Sequence, residues 1–150
     1  MAGRDKPYGA FNFLVDIGGP DAASPSGGFQ EVSGLSWEVN VGLYRAGNKK
    51  DNAPDKIIGS YKVGDVTLKR GVMGDDALYS WLEEVRNGKF DAPRTVTIEL
   101  QSEDRQSTAA VWKLTGAWPM KLTGPTLSGV ATDVPIEELV LTCLKIDQEF

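Results

Sequence analysis

The sequence predicts a mainly β fold, an antiparallel β-barrel or two-sheet sandwich with one flanking α-helix. Three observations predict it: apolar and polar residues alternate over most of the chain, clusters rich in Gly, Pro, Asn and Asp separate the alternating runs, and only one segment has helical periodicity. Strands with one apolar face must bury it against a second layer, and a lone amphipathic helix must lie on something larger.

In chain order, Phe11, Phe13, Val15 and Ile17 alternate with Asn12, Leu14 and Asp16, as in a strand with one buried face. Residues 18–28 then read as a Gly- and Pro-rich loop. The clearest strand follows. Leu35, Trp37, Val39, Val41 and Leu43 share one face and Ser36, Glu38, Asn40, Gly42 and Tyr44 the other, a length that suits a long member of a barrel or sandwich. Residues 46–56 form an extended polar loop with both charge signs and no hydrophobic period, expected to be mobile on its own. Ile57, Ile58 and Tyr61 precede a turn at Gly64-Asp65. Val66 and Leu68, opposite Thr67 and Lys69, make a strand that Gly71 and Gly74 end.

The helix comes next. Leu78, Trp81, Leu82 and Val85 fall at i, i+3, i+4 and i+7, Asp75 or Asp76 can cap the start, and Asn87-Gly88 supplies the stop. Residues 94–101 alternate with Val96, Ile98 and Leu100 inward, and 102–107 form a polar hairpin connection. Two strands at 111–114 and 118–122 are separated by Gly116. Residues 134–146 read as a final strand whose apolar phase shifts between Ile136 and Leu139, which a bulge near Glu137-Glu138 would explain.

A chain of 150 residues, 41% hydrophobic and 25% charged, suits one domain spanning 1–150 with a core of its own. A net charge of −5 and a pI near 4.8 argue against gripping nucleic acid phosphates. Lys49-Lys50 and Lys69-Arg70 are the densest basic spots, and both are dipeptides suited to a solvated face. The absence of histidine removes Ser-His-Asp and Cys-His catalysis and the commonest metal ligand. Cys143, between leucines, reads as a structural thiol in a chain with no intrachain disulfide, which fits folding in a reducing compartment. Adjacent acidic pairs such as Asp75-Asp76 and Glu83-Glu84 diverge on any regular element, so none forms an acid–base pair. The stretch 42–50 fails as a phosphate loop because Asn48 stands where the lysine belongs. Trp37 and Trp81 have apolar partners at strand and helix spacing and read as core; Trp118, after Gly116-Ala117, stays open. These features predict no catalytic residue, no cofactor and no metal. Neither a secretory leader nor a membrane span is evident, so no direct membrane anchor is expected.

The motifs have an order. GFQEVSGL at 28–35, VTLKRG at 66–71, LYSWLEEVR at 78–86, WKL at 112–114 and Trp118-Pro119 follow one another, flanked by Pro7-Tyr8, FNF at 11–13 and PIEEL at 135–139. Together they resemble the tail tube family of contractile phage tails and of phage-tail-like extracellular contractile injection systems. The resemblance implies a tail-tube-like β domain with the helix on its flank, six copies closing into a ring, and rings stacking into a hollow tube driven through an envelope by sheath contraction. It further implies sheath, baseplate, spike and terminator or cap partners, with a cargo protein, or DNA in a phage tail, in the lumen. Assembly would take place in the cytoplasm, before the tube reaches the finished particle. In position, the 46–56 loop matches the extension that such proteins use to reach a neighbour, which makes Arg45, Asn48, Lys49, Lys50, Asp51, Asp55 and Lys56 the expected inter-subunit contacts. A contractile bacteriophage tail passing DNA is the alternative within this class. The alternative from another class is a small ligand-binding β-barrel with Trp118 and Tyr44 lining its pocket.

Overall fold

A computed structural model describes residues 6–18, 28–72, 76–130 and 133–150. Most of the predicted 18–28 loop, Gly74 and the alternative cap Asp75 lie outside the described residues. Among the described residues the chain is mainly β with one helix, in the order β1 (Phe13–Asp16), β2 (Glu31–Ser33), β3 (Trp37–Tyr44), β4 (Asp55–Val63), β5 (Val66–Gly71), α1 (Ala77–Arg86), β6 (Arg94–Gln101), β7 (Thr108–Thr123), β8 (Ile136–Thr142) and β9 (Lys145–Glu149).

All pairings are antiparallel, and β7 organises them. Its first half pairs with β6 and β9 and its second half with β8, giving a β1-β6-β7-β9 sheet and a β7-β8-β5-β2 sheet that share one strand. The predicted pair of strands around Gly116 is therefore one strand that bends. Gly116 has φ +65, and a Cβ there would press on the Leu144 side chain at 2.9 Å, so glycine lets the strand turn from one sheet into the other. The two sheets face one core. Val15, Val96, Ile98, Leu114 and Ile146 from the first join Val66, Leu68, Leu139 and Leu141 from the second in one buried cluster. Among the described residues β1 and β2 end the ladder without pairing to each other, so the barrel is open and sandwich-like.

The helix closes this core. Leu78 and Trp81 are buried, Val85 packs on the cluster and Leu82 is half-buried, as their spacing predicts. Each fully buried large side chain contributes roughly 1.5–3 kcal/mol. Asp76 stands at the N-cap, but its side chain makes no capping bond. The stop is as predicted: the Gly88 amide, at φ +74, donates to the Val85 carbonyl at 3.1 Å.

Two strand readings change. The phase shift at residues 136–139 is not a bulge, because Arg70↔Glu137, Leu68↔Leu139 and Val66↔Leu141 pair in unbroken register. Glu137 instead occupies an inward position, where it meets the buried Arg70 guanidinium at 2.5 Å, and Arg70 also lies 5.7 Å from the Phe29 ring centroid. The strand then ends at Thr142, and β9 turns away to pair with β7. At the first strand, Phe11 is exposed and Asn12 buried, the reverse of the alternation. Asn12 is drawn inward because its Oδ1 accepts from Arg105 Nε at 3.1 Å and its carbonyl accepts from the Gln101 amide at 2.8 Å, anchoring the β6–β7 turn.

Candidate functional site: a projecting amphipathic arm

The clearest strand in the sequence is not a core strand. β3 and β4 form a separate two-stranded sheet in which every β3 residue and all of β4 before Val63 are exposed. Alternation requires a covered face but does not say what covers it. Register assigns the faces. Val39 pairs with Tyr61 and Val41 with Ile58, and a register shift between these pairs, with one extra residue on β4, keeps the two pairs on one side. The other side carries Glu38 and Lys62, 3.4 Å apart, and Asn40, whose amide donates to Ser60 Oγ at 2.8 Å. The arm is thus amphipathic, and its apolar face is bare: Val41 is 61% exposed, Leu43 68% and Ile58 88%.

Among the described residues the arm joins the body near its base. Gly34, at φ +88, lets the chain leave β2 where a Cβ would collide with the Asp65 carbonyl. The Gly64 amide donates to the Ser36 carbonyl at 3.0 Å, and Trp37 Nε1 donates to the Ile146 carbonyl of β9 at 2.8 Å. Trp37, 42% exposed, is therefore a tether at the base of the arm and not the core residue its spacing suggests.

At the far end, the predicted 46–56 loop is the turn of this hairpin, with Asp55 and Lys56 already in β4. Four of the predicted site residues come together there. Arg45 donates from Nε to the Asp51 carbonyl at 3.0 Å and from Nη2 to the Lys49 carbonyl at 3.1 Å. Lys49 Nζ lies 2.8 Å from Asp55 and 3.8 Å from Asp51. Asn48, Lys50 and Lys56 are exposed around this cluster. The apolar residues on the arm's face were missed as site residues, although the matching apolar phases of 39–43 and 57–61 carried the signal.

Among the described residues Tyr44 and Trp118 lie on different parts of the fold. Tyr44 sits on the outer part of the arm, while Trp118 lines a cleft of 170 Å³ with Val85, Lys89, Ala92 and Pro93. That is below the roughly 300 Å³ at which small-molecule sites begin. Burial, and secondarily the nearby negative charge of Asp65, push the half-buried Cys143 thiol pKa up and keep it protonated. Among the described residues no group of three or more potential ligands converges on a metal position, and no helix is long and apolar enough to cross a membrane.

The model of a family described as T4-like virus tail tube protein gp19 matches residues 9–146. No curated protein matches the chain in sequence. Among solved structures, the fold is similar to a chain of the PVC sheath–tube complex of an extracellular contractile injection system in its extended state. That chain is 23% identical, with 97% of this chain and 93% of that one covered and a TM-score of 0.83. A chain of the six-fold symmetrised anti-feeding prophage baseplate is 24% identical, with 97% of each chain covered and a TM-score of 0.83. A chain of the anti-feeding prophage tube-terminating cap is 21% identical, with 99% and 95% covered and a TM-score of 0.84.

Proposed function

The chain belongs to the T4-like virus tail tube protein gp19 family, and on that premise we propose that it is the inner tube protein of a contractile injection system. It acts without catalysis: six copies close into a ring, rings stack, and the hollow tube is driven forward when a surrounding sheath contracts. Residues 1–150 act as one tube domain whose arm carries the 46–56 loop to a neighbouring subunit.

The observation that carries the reading is the bare apolar face of the arm. The hairpin exposes Val41, Leu43 and Ile58 on one face, an apolar patch of the kind that marks a docking surface. A closed ring covers that face in every copy and leaves no arm unpaired. The family match and the likeness to chains from sheath–tube, baseplate and cap assemblies support sheath, baseplate and terminator partners. A spike at the tip and a protein cargo in the lumen complete the proposal, with assembly in the cytoplasm before the tube enters the extracellular particle.

Size-exclusion chromatography with negative-stain imaging of the purified protein tests it. Rings, or stacked tubes at high concentration, are expected. A strictly monomeric species at every concentration, with particle fractions lacking this chain, would overturn it.

A further inference from the structure

We propose that the arm is a preformed connector, clasped at its tip by Arg45 and latched to the body by Trp37, and not a segment that orders only when a neighbour docks. The inference rests on the tube reading for its assembly readout alone. Beyond the Tyr44↔Asp55 strand pair, the bonds that close the tip among the described residues lie between residues 45 and 55. Arg45 holds the Asp51 and Lys49 carbonyls, Lys49 bridges Asp51 and Asp55, the Lys49 amide donates to the Ala46 carbonyl at 3.1 Å, and the Ala53 amide donates to Asp51 Oδ1 at 3.1 Å. None of these bonds needs a partner molecule.

A polar loop whose apolar residues are two alanines and a proline has no core to order it, so side chain to backbone bonds take that role. The planar guanidinium suits it because two N–H groups reach two carbonyls at once, which an ammonium at the same position cannot do in the same geometry. At the other end, the indole N–H of Trp37 fixes the arm to a carbonyl of Ile146, a residue 3% exposed and part of the core. The direction of the arm is thereby tied to a strand whose Ile146 side chain lies in the core. Fixing tip and base beforehand removes ordering entropy from the docking step. Arg45, Lys49, Asp51 and Asp55 are then positioning residues that shape the tip, leaving Asn48, Lys50 and Lys56 as the side chains it presents.

The test is amide exchange on the full-length chain, diluted until it is unassembled. The Lys49 and Ala53 amides should exchange about tenfold more slowly than in an unstructured peptide of the same sequence. Arg45→Ala should abolish that protection, and Arg45→Lys should fail to restore it. Trp37→Phe keeps the ring and loses the donor; it should leave tip protection intact and raise the concentration needed for assembly. Tip amides that exchange at peptide rates in the free subunit, or full protection in Arg45→Lys, would overturn the clasp, and a Trp37→Phe protein assembling at the wild-type concentration would overturn the latch. A wild-type chain that never assembles would sink the tube proposal, while the exchange rates still decide the clasp.

Discussion

Replacing Trp81 by alanine tests how the helix is held. Trp81 is fully buried, its indole N–H donates to the Ala92 carbonyl at 2.7 Å, and the Arg94 guanidinium carbon lies 4.8 Å from the ring centroid. Truncating such a residue costs about 3–5 kcal/mol through lost burial and the cavity left behind. Ala92 is itself 2% exposed, so its carbonyl loses its partner away from water, a penalty of about 1–3 kcal/mol that places the total near the upper end of that range. For a chain of this size each kcal/mol moves the melting temperature by about 2–4 °C, so a drop of roughly 10–15 °C is expected. Thermal melts of the unassembled subunit by circular dichroism measure it, with Trp81→Phe as the companion that keeps the ring and loses only the donor. Trp81→Phe should fall between wild type and Trp81→Ala. A Trp81→Ala protein that melts normally and merely fails to assemble would move Trp81 from the core to an interface and refute this account of the helix.

Other perturbations separate stability from assembly. Glu84→Ala removes a carboxylate 3.3 Å from Arg94, so a small stability loss of about 0.5–1 kcal/mol is expected in the same melts, not the neutrality of a wholly exposed site. Ile58→Asp changes a side chain 88% exposed; its stability should stay within about 0.5 kcal/mol of wild type while sedimentation shows tube formation abolished. Glu137→Ala removes one charged hydrogen-bond partner of buried Arg70 and should cost about 1.5–3 kcal/mol in denaturant titrations. Because burial and Asp65 raise the Cys143 pKa, its alkylation at pH 8 should be slower in the native protein than in denaturant, where the thiolate fraction recovers.

The helix was legible in the sequence because a 3.6-residue stripe on a single segment has one interpretation. Leu78 and Trp81 lie inside as their spacing requires. Strand alternation located most of the sheets equally well. It misled at β3 because periodicity reports that a face is apolar, not whether the chain's own core or another molecule covers it. At residues 136–139 an ion pair took an inward position, and a pattern read only in apolar residues registers that as a change of phase. Gly116 looked like a break because glycine marks both the end of a strand and a bend within one; only the partners on either side, β6 before it and β8 after it, distinguish the two. The polar tip hid its order for a related reason. Its structure comes from Arg45 reaching backbone carbonyls, a bond that leaves no hydrophobic signature.

A reconstruction of the purified, assembled protein by electron cryomicroscopy would show what covers the arm. Stacked six-fold rings are expected, in which Val41, Leu43 and Ile58 lose their solvent exposure against another copy of the chain. Assemblies without ring symmetry, or rings in which that face of the arm remains in solvent, would contradict the tube proposal.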